Sequence, residues 1–177
     1  MPNYRRYHRS GGCYFFTVNL ADRRQSFLVD AVDLLRNAVC EVRARHPFQI
    51  EAMVILPDHL HAVWTLPPND NDFSTRWALI KASFSRRLPR HERISQSRRR
   101  HKERGIWQLR IWEHAIRDND DYRRHVDYVH FNPVKHGHAK RVIDWPYSSF
   151  HRFVRGGVYP ADWAGGSDEA GAGLGEL

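Results

Sequence analysis

The sequence of 177 residues lacks the features that mark several common classes of protein. Its two cysteines, Cys13 and Cys40, match no paired metal or redox spacing, which favours a reduced, cytosolic protein over a disulfide framework. No apolar run of about 18 residues is present, so we expect no membrane span. The N-terminal MPNYRRYHRSGG lacks the apolar segment of a secretory signal. Neither GxxxxGK(S/T) nor GxGxxG occurs, so no nucleotide-driven activity is expected.

Negative charge is scarce, and the positive excess is unevenly placed. Lys and Arg number 28 against 20 Asp and Glu, which gives a net charge of +8 at pH 7. Residues 86–104 hold nine basic and two acidic residues, whereas residues 161–177 hold four acidic residues and no basic one. Arginine, the more frequent cation, contacts phosphate in a bidentate manner and stacks on bases. A basic run is also typical of a solvated loop, but the whole pattern favours nucleic acid as partner.

The hydrophobic periodicity predicts a mixed chain of strands and helices. Strands are expected at 12–20, 48–56, 59–66 and 106–116, and helices at 30–45, 74–88 and 121–132, the last stopped by Pro133. Pro57 and Asp58 predict a hairpin between the second and third strands. The order βαββαβα favours an α+β fold with an antiparallel sheet and helices packed on one face. We expect one domain over residues 1–163 and a flexible, Gly-rich acidic tail over 164–177.

Two histidines flank Leu60 in the third predicted strand. Since successive side chains of a strand point to opposite faces, His59 and His61 share one face. Two imidazoles on one face form half of a site for a divalent metal ion. In a chain with 12 histidines, the same pair is also typical of an ordinary surface.

Tyr128 and Asn132 lie one turn apart on the third predicted helix and share a face. A phenol beside an amide oxygen would place a nucleophile next to a third metal ligand. Taken alone, the two residues favour a simpler interpretation, in which Tyr128 belongs to the core and Asn132 caps the helix before Pro133.

Six segments, taken in order along the chain, give it a specific resemblance to one known protein family. They are YRRYHRSGGCYFFTVNLADRR, VILPDHLHAVWTLP, FSTRWALIKASFSRRL, ERGIWQLRIWEHAIRD, DYRRHVDYVHFNPVKHG and DWPYSSFHRFV. Over residues 4–163 the chain resembles the REP-associated tyrosine transposases, a bacterial branch of the single-tyrosine HUH endonucleases. The acidic end after Trp163 is not part of this pattern.

This resemblance implies a ferredoxin-like α+β sandwich and a single HUH transposase-like catalytic domain over residues 1–163. It implies that single-stranded DNA is cut and rejoined at palindromic REP hairpins through a 5′-phosphotyrosine. By match to the family's motif, Tyr128 would be the nucleophile, and His59, His61 and Asn132 would bind Mg²⁺ or Mn²⁺. Because the covalent intermediate retains the bond energy, rejoining needs no ATP, which agrees with the missing nucleotide motifs.

Cations and aromatics along the chain are expected to hold the DNA hairpin and its unpaired flank. These candidates are Tyr4, Arg5, Arg6, Arg9, Arg86, Arg87, Arg98, Arg99, Arg100, Lys102 and Arg104. The partner is expected to be single-stranded hairpin DNA, with no membrane involved. We expect a monomer or homodimer located in the cytoplasm at the nucleoid.

Two other functions fit parts of this pattern. A catalytically silent DNA-binding protein of the same fold would need only the basic surface, and not the set of two histidines, a tyrosine and an asparagine. A zinc hydrolase on another scaffold would need a third histidine or an acid from a motif such as HExxH, and none is spaced correctly in this sequence.

Overall fold

The computed structural model describes residues 11–89 and 104–165. Four antiparallel strands form one sheet in the order β2-β3-β1-β4. The strands are β1 (Cys13–Asn19), β2 (Gln49–Ile55), β3 (His59–Thr65) and β4 (Trp112–Ala115). The described helices are α1 (Phe27–Asp30), α2 (Val32–Arg45), α3 (Phe73–Arg87), α4 (Asn119–Lys135) and α5 (Phe150–Arg155), with a 3-10 helix at Val142–Asp144. With α2 and α3 as crossovers, this is the ferredoxin-like arrangement, so the α+β prediction is confirmed.

Both faces of the sheet are covered by helices, because β1 carries large apolar side chains on each face. Tyr14 and Phe16 belong to the core shared with α2 and α3, where Trp64 of β3 stacks on Trp77 with ring centroids 4.0 Å apart. Phe15 points the other way, into a second core shared with α4. The two crossover helices therefore lie on one face and α4 lies on the opposite face, so the prediction that the helices pack on one face is wrong for α4. The order of elements does not reveal that the sheet has a second apolar face for α4 to cover.

The fourth strand is shorter than its sequence pattern predicts. Only its last part forms β4, and the residues before it lie along α3, with a single bridge between Leu20 and Trp107. The Trp107 indole donates to the carbonyl oxygen of Lys81 at 3.2 Å and to Oγ of Ser85 at 3.1 Å. Residues 106 and 108 also bond through their backbone to the end of β1, so the predicted strand is interrupted at the exposed residues 109 and 110, which a periodicity count cannot detect.

Helix α4 continues through Pro133, so the expected stop at that residue is wrong. Its first turn is capped by Asp118, whose side chain accepts a hydrogen bond from the backbone of Asp121 at 2.8 Å. Proline removes one donor from the helix, but the next turn still closes, with the His136 amide 3.0 Å from the Asn132 carbonyl oxygen. The helix ends only where Gly137 adopts a φ of 72°.

The chain after α4 runs along the β2 side of the sheet. Ser148 forms a bridge with Val54, and the Trp145 indole donates to the Ile55 carbonyl oxygen at 2.9 Å. Of the predicted tail at 164–177, residues 166–177 lie outside the described residues. Among the helices that are described, none combines the length and apolar character needed to cross a membrane.

Candidate active site

Strand β3 and helix α4 bring the two predicted histidines and the predicted tyrosine together. The ring centroids of His59 and His61 are 5.0 Å apart, and the His61 ring lies 5.1 Å from the Tyr128 ring. Phe15 packs against both His61 and Tyr128, at 5.5 and 5.8 Å. His59, His61 and Tyr128 are all buried. Tyr128 follows His61 by 67 positions and His59 by 69, and the packing of α4 on the sheet brings it to the histidines.

Each imidazole is held through its Nδ1 atom. For His59 the partner is Oδ1 of Asp58 at 2.7 Å, and for His61 it is Oγ1 of Thr17 at 2.9 Å. Burial alone would raise the pKa of Asp58, but hydrogen bonds from His59 and Arg23 outweigh it and hold the pKa below its usual range. Asp58 is therefore a carboxylate, and it accepts the Nδ1 proton of His59. Such support from a second residue orients an imidazole and leaves its Nε2 for a metal ion.

His61 has the protonation state that a metal ligand requires. Burial, and after it the positive potential of His59, His136, Lys135 and Arg23, holds the pKa of His61 well below its ordinary value. The imidazole is therefore neutral near pH 7, with a lone pair on one ring nitrogen. Its Nε2 is buried and has no hydrogen-bond partner among the described residues.

Asn132 is another candidate ligand whose buried polar atoms make no hydrogen bond among the described residues. It is wholly buried, and neither Oδ1 nor Nδ2 has a hydrogen-bond partner within residues 11–89 and 104–165. A buried amide in this state calls for an explanation. Asn132 stands one helical turn after Tyr128, whose ring contacts His61. Neutral imidazole nitrogens and an amide oxygen are suitable ligands for a divalent ion, so the described residues fit the metal that the sequence predicts.

Two further residues at the end of α4 border this site, and the sequence analysis missed both. The Lys135 ammonium lies 5.0 Å from the centroid of the Tyr128 ring, and the His136 ring lies 5.1 Å from the His59 ring. The expected helix stop at Pro133 concealed them. In a helix that continues past Pro133, the residues seven and eight positions after Tyr128 lie on the same face of the helix as Tyr128. That spacing could have identified both residues from the sequence.

The predicted DNA contacts divide into three groups. Arg86 is exposed on α3. Arg87 and Arg104 are engaged within the protein, Arg87 with Glu41 at 2.6 Å and Arg104 with backbone carbonyl oxygens, including that of Leu88 at 2.8 Å. The rest of the predicted set, Tyr4, Arg5, Arg6, Arg9, Arg98, Arg99, Arg100 and Lys102, lies outside the described residues.

A second polar cluster joins β4 to the first turns of α4. His114, Asp121 and His125 hold ligand atoms within 4.8 Å of one another, so their composition is that of a possible metal site. Hydrogen bonds already connect them, with His114 Nε2 at 2.8 Å and the Arg117 amide at 2.9 Å from one carboxylate oxygen of Asp121. The two imidazoles also stack nearly parallel, 4.7 Å apart at 13°. The lone pair of an imidazole nitrogen lies in the ring plane, so the lone pairs of two stacked rings do not point at one ion. In this arrangement the cluster connects β4 to α4 through its hydrogen bonds.

Comparisons with known proteins agree with this fold. No protein-family model matches the sequence. The chain is 49% identical to the REP-associated tyrosine transposase of Escherichia coli strain K12 over 173 residues, which cover 98% of this chain and 97% of the relative. It is 47% identical to the putative REP-associated tyrosine transposase of Haemophilus influenzae strain Rd over 169 residues, covering 95% and 96%. A solved structure of a REP-associated tyrosine transposase bound to a REP hairpin matches with a TM-score of 0.83 and 47% identity, covering 100% of this chain and 99% of the other.

A ferredoxin-like domain in which a histidine pair on the sheet faces a helical tyrosine is the domain of a single-tyrosine transposase. With relatives this similar over nearly their full length, the chain belongs to the REP-associated tyrosine transposase family. The resemblance read from the sequence is thereby confirmed.

Proposed function

We propose that this protein is a metal-dependent endonuclease and strand transferase that acts on REP hairpins in single-stranded DNA through a 5′-phosphotyrosine intermediate. The observation that carries the proposal is the position of Tyr128, whose ring lies 5.1 Å from a buried, neutral His61. The solved relative bound to a REP hairpin supports the choice of substrate. The basic excess of this chain supports DNA as the partner.

Three side chains would hold the metal ion. His59 and His61 would bind it through Nε2, and Asn132 through its amide oxygen. When bound there, Mg²⁺ or Mn²⁺ polarises the scissile phosphate and favours ionisation of a neighbouring phenol. The protein contributes the orientation, since Asp58 and Thr17 hold both imidazoles by Nδ1.

Tyr128 would carry out the chemical step. Its Oη attacks phosphorus, an Oη–P bond forms, and the bond between phosphorus and the 3′ oxygen breaks. The phenol loses its proton, and the leaving 3′ oxygen takes one up as a hydroxyl. Attack by a 3′ hydroxyl on the phosphotyrosine reverses the step and rejoins the strand without ATP. Lys135 beside the Tyr128 ring, with Arg23 near His59, gives the site a positive rim that suits a phosphate diester.

The oligomeric state, the cellular location and the DNA contacts are further expectations for this protein. All four proposed site residues come from one chain, so a monomer contains a complete site, and a homodimer would contain two. We expect the protein in the cytoplasm, at the nucleoid, since its substrate is chromosomal DNA. Arg86 is the described residue that we expect to contact the hairpin, together with the predicted residues that lie outside the described ranges.

A covalent adduct tests the proposal. The protein is incubated with a 3′-labelled single-stranded REP hairpin and Mn²⁺, and the products are separated on a denaturing gel. We expect a slow-migrating adduct that disappears in Tyr128→Phe and persists in Tyr122→Phe, a control on the same helix. Hairpin binding by the wild type without cleavage or adduct would instead support the alternative, a catalytically silent DNA-binding protein.

A further inference from the structure

A third histidine stands beside the proposed metal site. His136 follows the last residue of α4 and is exposed, and its ring lies 5.1 Å from the His59 ring with the planes 74° apart. The His61 ring lies 5.0 Å from the same His59 ring, with the planes 83° apart. His59 thus has one buried and one exposed imidazole neighbour at nearly equal distances.

These separations match those of imidazoles that share an ion. A metal–nitrogen distance of about 2.1 Å puts each ring centroid about 3.2 Å from the ion. Two such rings that bind the ion from roughly perpendicular directions have centroids about 5 Å apart. Rings that merely pack edge to face have similar separations. The difference here is that Nδ1 of His59 is occupied by Asp58, so Nε2 is the nitrogen of His59 that is left to bind an ion.

The end of α4 gives His136 a defined position. It follows Asn132 by four residues and Tyr128 by eight, so it continues the helical face that the proposed site uses. Its amide still bonds to the Asn132 carbonyl oxygen at 3.0 Å, which keeps it in the helical register. Directly after it, Gly137 turns the chain away with a φ of 72°.

We propose that His136 is a further ligand of the ion held by His59, His61 and Asn132. This inference rests on the proposed function, because it concerns the same ion. A third imidazole changes the preference of the site, since nitrogen ligands favour transition metals whereas Mg²⁺ prefers oxygen. The site therefore binds Mn²⁺ more tightly than Mg²⁺, and Ni²⁺ more tightly still, following the general order of affinities.

Calorimetric titration of the full, untagged chain with Ni²⁺, Mn²⁺ and Mg²⁺ tests this assignment. We expect His136→Ala to weaken Ni²⁺ binding by about tenfold or more, with a much smaller effect on Mg²⁺. His138→Ala is the matched control, because this neighbouring exposed histidine packs on Trp145 with ring centroids 5.5 Å apart. It should leave all three affinities unchanged. His136→Gln, which supplies an amide oxygen, should retain Mg²⁺ binding and still lose Ni²⁺ affinity.

A spectroscopic measurement separates ligation from an indirect effect. Pulsed electron paramagnetic resonance on bound Cu²⁺ detects coupled imidazole nitrogens, and His136→Ala should remove one of them relative to the wild type. An unchanged spectrum together with an unchanged ratio of Ni²⁺ to Mg²⁺ affinity would overturn the assignment.

The variant His59→Ala distinguishes this inference from the proposed function. If His59→Ala loses metal binding and His136→Ala does not, the proposed site stands and His136 is not a ligand. If His59→Ala binds metal like the wild type, the proposed site itself is wrong. Circular dichroism verifies that each variant is folded, and the exposed position of His136 makes its replacement tolerable.

Discussion

Thr17 lies opposite His61 in the β1–β3 ladder, and its Oγ1 is 2.9 Å from Nδ1 of that histidine. The hydrogen bond occupies one nitrogen of a fully buried ring and leaves Nε2 for an ion. The sheet register thus holds the proposed metal ligand in position in the middle of the protein.

Replacing Thr17 by valine keeps the shape of the side chain and removes this bond. Since Nδ1 of His61 would then be buried without its partner, we expect the free energy of unfolding to fall by about 1–3 kcal/mol. The freed imidazole should also bind Mn²⁺ about tenfold more weakly. Urea unfolding and calorimetric titration measure the two effects. Thr65→Val, at the other end of β3, is the control and should leave Mn²⁺ affinity intact.

The Asp58→Asn variant tests whether the charge beside His59 matters. An amide oxygen can still accept the Nδ1 proton, but the carboxylate that His59 and Arg23 share is lost. We expect about a tenfold loss of Mn²⁺ affinity with the fold retained. Asp144→Asn, which removes a surface carboxylate paired with Arg141, should have no such effect. Equal losses in the two variants would point to a general effect of charge.

Buried histidines make stability depend on pH. Burial, followed by the positive charge of Arg152, lowers the pKa of His130 to about 3. An unfolded histidine has a pKa near 6.5, so between these values only the unfolded chain binds the proton, and the free energy of unfolding decreases as the pH falls. His61 and His125, whose pKa values are also lowered, act in the same direction.

Denaturation at pH 7 and pH 5 checks this dependence. We expect His130→Gln, which keeps a polar partner for Ser149, to lose about 2 kcal/mol less than the wild type between the two pH values. His138→Gln, at an exposed position, should follow the wild type. A wild-type stability that rises on acidification from pH 7 to pH 5 would contradict the argument.

Arg76 provides a test of the scaffold away from the site. Its guanidinium is buried and bonds to Asp70 at 2.6 Å and to the carbonyl oxygens of Pro47 and Asp72 at 2.8 Å each. Arg76→Met would leave these acceptors without their donor, so we expect a loss of about 3–5 kcal/mol in the free energy of unfolding. Arg24→Met, which breaks an exposed pair with Asp22, should change little.

The parts of the site that follow from local sequence were predictable, and those that depend on packing were not. Strand alternation alone predicted that His59 and His61 share one face of the sheet. Helical spacing predicted that Tyr128 and Asn132 share one face of a helix. The contact between His61 and Tyr128 depends on α4 covering the second face of the sheet, and only the family resemblance anticipated it. Thr17 as the partner of His61 is 44 positions away, at a register that periodicity does not specify.

Two errors come from local sequence rules that the folded chain does not follow. Pro133 is a strong helix terminator in isolation, yet α4 continues to Lys135 because the following turn closes around it. That error hid Lys135 and His136, which border the site at the end of α4. The strand predicted over 106–116 is the second case, since residues 106 and 108 pair with the end of β1 but the exposed residues 109 and 110 interrupt the strand before β4.

The position of the covalent bond tests the central claim most directly. The adduct formed with a REP hairpin and Mn²⁺ is trimmed with nuclease, digested with protease and analysed by tandem mass spectrometry. We expect the nucleotide remnant on the peptide that contains Tyr128, attached to its phenol oxygen through a 5′ phosphate. A remnant on Tyr122 or any other residue, or a cleaved hairpin with no protein attached at any time point, would contradict the account.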